Sequence, residues 1–217
     1  MAGVLFVDLW PEDDGEERWK QRFEAIPATA HRLGIAISVV HHRRLEPARC
    51  AADPPAGIML SGSRSNLLAD PANDPQDGIA IEAFAAVGAL LACLPAVPVL
   101  GICFGLQYLT VASGGTLSEL PALRSVPAWP ISVDGDDALF AGLPAPRMVE
   151  NHRWRVELPA PGYQVVARSA DGIEALRHRE LPRVGVQFHP EYFAHPGATR
   201  DGERLLCNWL GGIASGA

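Results

Sequence analysis

The stretch VLGICFGLQYL, Val99 to Leu109, puts one cysteine between an apolar run and a segment of helical composition. Residues 97–102 have the length and apolar character of a buried strand, and residues 106–115 are predicted to form a helix that stops at a glycine pair. Cys103 therefore lies where a strand turns into a helix. The free N–H groups and the positive dipole end of that helix favour a thiolate, as a cysteine nucleophile requires.

Two glycines flank the cysteine, at positions 101 and 105, and two explanations for them are open. A sharp corner holds its nucleophile in a sparsely populated backbone conformation, and neighbours without a Cβ atom reduce the crowding there. The same glycines also permit a helix to pack closely against a sheet. The corner alone does not establish catalysis, because an isolated buried cysteine usually serves as a small apolar side chain.

Outward from this corner, strand and helix patterns alternate along the chain. Between residues 12 and 34 apolar residues recur at helical spacing, and Pro27 predicts a kink in that helix. The β-branched run at 35–40 is expected to be a buried strand. Further strands are predicted at 3–9, 57–62 and 97–102, and further helices at 79–94 and about 200–211. This alternation predicts a parallel sheet that is covered on both faces.

The pattern changes after residue 115, where shorter and more polar strand candidates follow. These segments read PISV, YQVVARS, GIEALRH and RVGVQFH, and they are predicted to be antiparallel or peripheral. No linker or repeat divides the chain. The prediction is a single α/β domain over residues 1–217, with an open, mostly parallel twisted sheet, helices on both faces and a small antiparallel portion.

Composition and charge argue against several classes of binding partner and against a membrane location. The chain has 217 residues and a net charge of -7, so it has no general attraction for nucleic acid. No apolar run approaches the ~18 residues of a membrane span, and the N-terminus resembles a strand rather than a signal peptide. The four scattered cysteines form no C-x-x-C pair, which fits free thiols in a reducing cytoplasm.

A second group of candidate catalytic residues lies in VGVQFHPEYF, residues 184–193. His189 and Glu191 are two apart across Pro190, and an extended backbone would keep both side chains on one side. The carboxylate can then fix the imidazole tautomer while the other ring nitrogen faces the thiol. A surface turn is the plain alternative for this tripeptide. Because no further cysteine or histidine falls at ligand spacing, neither a metal ion nor another cofactor is expected.

Two motifs together resemble the class I glutamine amidotransferases, in their GMP-synthetase-like branch. They are GICFGLQ at 101–107 and QFHPE at 187–191, and in that family a Cys-His-Glu triad hydrolyses the side-chain amide of glutamine. GIMLSGS at 57–63 resembles the family's oxyanion loop, and NHRW at 151–154 resembles a stretch that binds the α-amino and α-carboxylate groups of glutamine. The resemblance covers nearly the whole chain and implies the family's flavodoxin-like fold.

The resemblance implies a role for each matching residue. Cys103 would attack the γ-carbonyl and form a γ-glutamyl thioester, His189 would transfer the protons, and Glu191 would orient His189. The implied oxyanion donors are backbone N–H groups at Phe104 and in the turn formed by Gly62 and Ser63. The implied substrate-binding residues are Gln107, Asn151, Arg153 and Trp154.

The chain also departs from the family pattern at three places. Ser63 and Arg64 stand where many relatives have glycine and proline, as in free-standing members that act as γ-glutamyl peptidases. Arg153 replaces a glycine, so it either reaches a substrate carboxylate or faces solvent. The segment 64–96 is longer than in many relatives, and two roles are open for it, a lid or a partner contact.

The absence of a G-x-x-x-x-G-K phosphate loop in this sequence means that the chain alone can only hydrolyse an amide. The expected function is therefore glutamine hydrolysis, with ammonia passed to a separate ATP-dependent synthetase subunit. Two alternatives remain open. One is a free-standing hydrolase of a γ-glutamyl compound, and the other is a catalytically degenerate member that binds a ligand or a partner.

Overall fold

The computed structural model describes residues 3–13, 15–67 and 78–215. The strands are β1 Gly3–Asp8, β2 Ala36–His41, β3 Gly57–Leu60, β4 Asn66–Leu67, β5 Gly78–Ile79, β6 Val99–Ile102, β7 Thr116–Pro130, β8 Ser132–Val133, β9 Arg147–Leu158, β10 Tyr163–Ser169, β11 Gly172–His178 and β12 Arg183–Val186. The α-helices are α1 Glu16–Phe23, α2 Ala25–Arg32, α3 Pro47–Ala52, α4 Ala85–Cys93, α5 Phe104–Ala112 and α6 Asp201–Ser215. Among these helices, none is both long enough and apolar enough to cross a membrane.

One ten-stranded sheet organises the described residues. Its order is β2-β1-β3-β6-β12-β11-β10-β8, and β9 joins it through β11 and pairs with β7. The first five strands are parallel, and the others pair antiparallel. The predicted α/β architecture, a mostly parallel sheet with helices, is therefore confirmed. The antiparallel part is larger than expected, since β7 and β9 are 15 and 12 residues long.

Helices cover both faces of the parallel half, and β1 illustrates why. Successive side chains of a strand point to opposite faces. Val4 and Phe6 pack in one buried cluster with α1, α2 and α6, whereas Leu5 and Val7 pack in another with α4 and α5. An apolar strand of this kind is stable only between two layers of helix, as the sequence pattern predicts.

Two strands occupy positions that the sequence pattern does not predict. β2 is an edge strand rather than a buried one, and His41 is its only buried residue. Its β-branched residues indicate a strand, but they do not report how many neighbours the strand has. β12 lies between β6 and β11, parallel to β6 and antiparallel to β11, so of the two expectations for this segment the peripheral one is wrong and the antiparallel one holds only towards β11. Because β12 is parallel to β6 and next to it, the residues that follow β12 lie at the same edge of the sheet where β6 ends.

The helical region before β2 is interrupted near the expected place. α1 ends at Phe23 and α2 begins at Ala25, so Glu24 separates them. Pro27 lies in the first turn of α2, where the absence of an N–H group costs no helical hydrogen bond. Gly34, with φ of 70°, follows the end of α2 and takes the left-handed conformation that ends a helix.

The long segment 64–96 is described only in part, because residues 68–77 lie outside the described ranges. β4 and β5 form a short parallel pair. In α4, Val87, Leu90 and Leu91 are buried in the core. The helical end of this segment is thus part of the fold, and a lid or partner contact formed by the rest stays a prediction.

Candidate active site

Cys103 is the only residue between β6 and α5. Its backbone has φ of 49° and ψ of -101°, and it is the one non-glycine residue with positive φ in the described part of the chain. Such a conformation costs about 1–3 kcal/mol and persists where the surroundings hold it. Here the N–H of Cys103 donates to the carbonyl of Val186 at 2.7 Å. The predicted strained corner is therefore present.

The glycines beside the cysteine allow close packing and do not themselves adopt strained conformations. A Cβ atom on Gly101 would lie 2.6 Å from the carbonyl carbon of Gly105, and a Cβ on Gly105 would lie 2.5 Å from the carbonyl oxygen of Leu60. Neither glycine has positive φ. Of the two explanations, the structure supports close approach of α5 to the strands, while the strain is confined to Cys103.

His189 and Glu191 reach the corner because β12 runs parallel to β6 and ends at the same edge. Nδ1 of His189 lies 2.8 Å from Oε1 of Glu191, and both residues are buried. Pro190 begins a single turn of 3-10 helix, Pro190–Tyr192. This turn brings the carboxylate back to the imidazole, so the expectation that an extended backbone places both side chains is corrected. The N–H of His189 donates to the carbonyl of Val149 at 2.8 Å, which fixes the start of the turn.

The electrostatics around His189 favour the imidazolium form. Burial lowers the pKa of this ring, but the charge of Glu191, the charge of Cys103 and hydrogen bonds with both side chains raise its pKa well above its usual range. The imidazole is thus placed between a sulfur and a carboxylate. This arrangement can hold a proton beside the thiolate and deliver it to a leaving group.

The turn after β3 lies against the side chains of both Cys103 and His189, the candidate catalytic residues. A Cβ atom on Gly62 would lie 3.0 Å from Cε1 of His189 and 3.7 Å from Cβ of Cys103, so a larger residue there would crowd the imidazole. The sequence-predicted oxyanion residue Gly62 is therefore adjacent to the candidate nucleophile, and Ser63 follows it directly in the turn.

Buried Ser61 fixes the orientation of that turn. Its hydroxyl donates to the carbonyl of Gly62 at 2.7 Å and accepts from the N–H of Leu9 at 2.9 Å. In a trans peptide the N–H points opposite to the carbonyl, so the N–H of Ser63 is directed away from Ser61. Phe104, the first residue of α5, offers a second N–H that has no acceptor within its helix. Sequence reasoning did not single out Ser61, although it follows a buried strand directly.

Gln107 is buried and already engaged by protein groups. Its Nε2 donates to the carbonyl of Trp154 at 2.8 Å and lies 3.4 Å from Oε1 of Gln187. Nε2 of Gln187 in turn lies 3.6 Å from Sγ of Cys103. The side-chain amides of Gln107 and Gln187 therefore form a chain of contacts from the backbone of β9 to the thiol of Cys103. Gln187 was part of a motif in the sequence but received no role, because its contact with the sulfur depends on the pairing of β12 with β6.

The other predicted substrate-binding residues divide between two faces of β9. Asn151 is exposed and lines a cavity of about 290 Å³ together with Tyr192 and His195. Arg153 is also exposed, and its Nε lies 2.5 Å from the carboxylate of Glu119. Of the two roles open for Arg153, this contact favours the solvent-facing one. Trp154 lies on the opposite face of the strand and is partly buried, with its carbonyl directed to Gln107.

Three aromatic rings form a stack that begins at His189. The ring of Tyr192 lies 4.8 Å from that of His189, at an interplanar angle of 8°. His195 stacks on the other side of Tyr192 at 4.5 Å and 10°. The stack restrains the imidazole plane and leads from the candidate site to exposed His195. The sequence does not predict this stacking role of Tyr192; the one available signal is that Tyr192 directly follows Glu191.

Comparison with protein families gives a match to the model of the class-I glutamine amidotransferases over residues 20–204. Aminodeoxychorismate synthase of Streptomyces griseus is 44% identical over 115 residues, which make up 52% of this chain and 15% of that protein. The A subunit of the glutamine-hydrolysing GMP synthase of Pyrococcus abyssi is 40% identical, over 52% of this chain and 58% of that subunit. The β subunit 1 of anthranilate synthase from Oryza sativa is 29% identical, over 82% of this chain and 59% of that subunit.

Among solved structures, a Thermoplasma acidophilum protein assigned to the GMP synthase A subunits superimposes with a TM-score of 0.74 and 20% identity, covering 98% of this chain and 94% of that one. At this identity the likeness concerns the fold. In sequence, the chain spans less than two thirds of the length of each of the three relatives above.

Proposed function

The chain belongs to the class-I glutamine amidotransferase family, and from this membership we propose that it hydrolyses the side-chain amide of glutamine to glutamate and ammonia. One observation carries the proposal. The imidazole of His189 lies beside Cys103, since a Cβ atom on Gly62 would lie 3.0 Å from its Cε1 and 3.7 Å from Cβ of Cys103, and the carboxylate of Glu191 lies 2.8 Å from its Nδ1. This is the geometry of a nucleophile, a proton carrier and a group that orients the carrier.

In the first half of the reaction, the thiolate of Cys103 attacks the γ-carbonyl carbon of glutamine. The carbonyl oxygen becomes an oxyanion, and the N–H groups of Phe104 and Ser63 are the proposed donors to it. As the tetrahedral intermediate collapses, the C–N bond breaks and the imidazolium of His189 gives its proton to the departing ammonia. The product of this half is a γ-glutamyl thioester on Cys103.

In the second half, His189 takes a proton from water as the water oxygen attacks the thioester carbonyl. The same two N–H groups receive the new oxyanion, and the C–S bond breaks as the intermediate collapses. Glutamate leaves, and the thiolate of Cys103 again faces the imidazolium of His189. Throughout, Glu191 holds Nδ1 of the ring and keeps Nε2 as the atom that exchanges protons.

We assign recognition of the amino-acid end of glutamine to the edge of β9. Asn151 lines the cavity beside Tyr192, and this cavity adjoins the stack on His189. The proposed role of Gln107 is to hold the backbone of β9 at Trp154, because its amide nitrogen already donates to that carbonyl. Arg153 is given no role in substrate binding, since it pairs with Glu119.

We further propose that a separate ATP-dependent synthetase chain consumes the ammonia. Two of the relatives are named as subunits, of GMP synthase and of anthranilate synthase, which supports a partner chain. The cytoplasm is the proposed compartment, because all four cysteines are free thiols and such thiols persist in reducing surroundings.

The test is an assay of glutamate release by the purified protein from glutamine and, separately, from a γ-glutamyl dipeptide. We expect release from glutamine, its loss in Cys103→Ser, and labelling of Cys103 by an electrophilic glutamine analogue. The exposed Cys93 gives a matched control, because Cys93→Ser should retain full activity. Release from the dipeptide with glutamine inert would instead establish a free-standing γ-glutamyl hydrolase. If neither substrate releases glutamate and the analogue does not label Cys103, the proposal is overturned.

A further inference from the structure

Three ionisable side chains meet in the protein interior on the buried side of β9 and on β11. Glu150, His152 and Glu174 are 1%, 4% and 0% exposed. One candidate ligand atom from each lies within 4.8 Å of the other two, and Nε2 of His152 is 3.1 Å from Oε2 of Glu150. The proposed hydrolysis uses none of these groups. Two carboxylates without a cation between them are costly to bury so completely.

The hydrogen bonds of His152 show which ring nitrogen faces the carboxylates. Nδ1 lies 3.0 Å from the carbonyl of Trp154, and a carbonyl only accepts, so Nδ1 carries a hydrogen. Nε2 is then the ring atom directed at Glu150. Among the described residues outside the cluster it has no hydrogen-bond partner, and neither oxygen of Glu150 nor Oε2 of Glu174 has one there; within the cluster the two carboxyl groups face each other.

Nearby cationic side chains do not fill the space between these atoms. The charge of Arg124 acts on Glu150, but its guanidinium is bound by both carboxylate oxygens of Asp171, one of them at 2.8 Å. In the described part of the chain, no lysine or arginine pairs with Glu150 or Glu174. The cluster thus presents two carboxylates and one imidazole nitrogen to a common point.

We propose that Glu150, His152 and Glu174 bind a divalent first-row transition-metal cation. One imidazole and two carboxylates form a nitrogen and oxygen donor set that suits Mn²⁺, Fe²⁺ or Zn²⁺. Metal bonds of ~2.0–2.2 Å place two ligands of one ion roughly 3–3.5 Å apart, and the His152–Glu150 separation of 3.1 Å falls in that range. The third ligand, Glu174, completes one face of a coordination sphere.

Groups outside the cluster orient two of the three ligands, as is typical of metal sites. The carbonyl of Trp154 fixes the ring of His152, and the hydroxyl of Ser169 lies 2.5 Å from Oε1 of Glu174. That second contact leaves Oε2 of Glu174 for the cation.

The role of the cation is structural, and it takes no part in bond breaking. Glu150 and His152 lie on β9, and Glu174 lies on β11, so one cation would join the two strands. The carbonyl of Trp154 accepts from both His152 and Gln107. A cation on His152 would therefore hold the position of β9 beside the catalytic corner, and its loss should loosen that strand.

Metal binding is measured directly with Mn²⁺ as the probe, because Mn²⁺ prefers oxygen ligands and avoids the thiol of Cys103. After chelation and dialysis, the wild-type chain should bind one Mn²⁺ in an electron paramagnetic resonance titration, and its melting temperature should rise. Glu150→Gln and Glu174→Gln should each weaken binding at least ~10-fold. Cys103→Ser, and Glu180→Gln at an exposed carboxylate, should bind as the wild type does.

A second measurement needs no variant and so does not depend on whether the variants fold. Co²⁺ added to the metal-free wild type should give visible d–d absorption of a nitrogen and oxygen site without a thiolate charge-transfer band. If Mn²⁺ does not bind and Co²⁺ gives no such spectrum, the proposal is overturned. Shared protons among the three side chains would then account for their burial. Loss of binding in Cys103→Ser would also overturn it, by locating the metal at the catalytic thiol. Neither readout depends on glutamine hydrolysis.

Discussion

Nδ1 of His189 lies 2.8 Å from Oε1 of Glu191, although a single proline separates the two residues. The 3-10 turn Pro190–Tyr192, which follows β12, brings the carboxylate back to the imidazole and so makes this contact possible. Because both side chains are buried, the carboxylate is poorly screened by solvent, and its charge acts strongly on the imidazole. The protonation state of His189 therefore depends on its near neighbour in the chain.

Glu191→Gln should lower kcat by roughly 10²–10⁴ with a small change in KM, because the ring loses the group that orients it. The charge of Glu191 raises the pKa of His189, so the substitution lowers that pKa. The imidazolium is then lost at a lower pH, and the alkaline limb of the kcat profile should move to lower pH. Glu180→Gln is the control, and an unchanged profile in Glu191→Gln would contradict the assigned role.

Ser61→Ala should lower kcat by ~10–100-fold and leave KM nearly unchanged. The hydroxyl holds the carbonyl of Gly62, and without it the peptide that carries the N–H of Ser63 loses its fixed orientation. Removal of a whole oxyanion donor typically costs ~10²–10³, so a misoriented donor should cost less. Steady-state kinetics measure the effect, with the exposed Ser132→Ala as control. A rise in KM at constant kcat would show that the serine acts on substrate binding instead.

Gly105→Ala should destabilise the protein by about 1–3 kcal/mol, because its Cβ would lie 2.5 Å from the carbonyl oxygen of Leu60 and backbone must move to relieve the clash. Gly211→Ala in α6 is the matched helical control, since nothing lies within 4 Å of a Cβ there. That control should be neutral or more stable by up to ~1 kcal/mol. Urea unfolding measures both. Equal stability of the two variants would contradict the close-packing explanation.

Stability should fall in mild acid because of His42. Burial, followed by the charges of His41 and Arg43, lowers the pKa of His42 to about 4. In the unfolded chain the pKa is ~6.5, so the unfolded state binds more protons as pH falls from 6.5 towards 4. The stability present above pH 6.5 is thus lost across this window, by at most about 3 kcal/mol.

His42→Phe tests that assignment, because phenylalanine keeps the ring that contacts Phe84 at 4.6 Å and does not titrate. Urea unfolding at several pH values between 4 and 7 should give a shallower pH dependence in this variant than in the wild type. The same slope in both proteins would assign the acid sensitivity to other groups.

The strand-to-helix corner at Cys103 could be predicted from sequence because its signals are local. An apolar run, a cysteine and a helical segment follow one another within residues 97–115, and the strained φ of Cys103 results from that order. The approach of His189 to Cys103 is not local. It depends on parallel pairing of β12 with β6, which the short polar-flanked run at 183–186 does not specify.

The antiparallel half was underestimated for a similar reason. β7 contains Pro121, Pro127 and Pro130, which weaken a strand prediction, and its pairing with β9 shifts register at three places. The strand forms because β9 supplies its hydrogen bonds, and that partner is distant in sequence. The metal-site candidate was missed in the same way: Glu150 and His152 show strand spacing, but Glu174 joins them only once β11 is placed.

The positive φ of Cys103 has a consequence for engineering. A glycine would adopt that backbone conformation with less strain, so Cys103→Gly should raise thermal stability. The same substitution removes the proposed nucleophile, so stability and activity make opposite demands on this position. A mutant library screened only for survival of heating would therefore enrich chemically silent sequences at position 103. Each round of such a screen has to be paired with a measurement of turnover, or the improved protein will be an inert one.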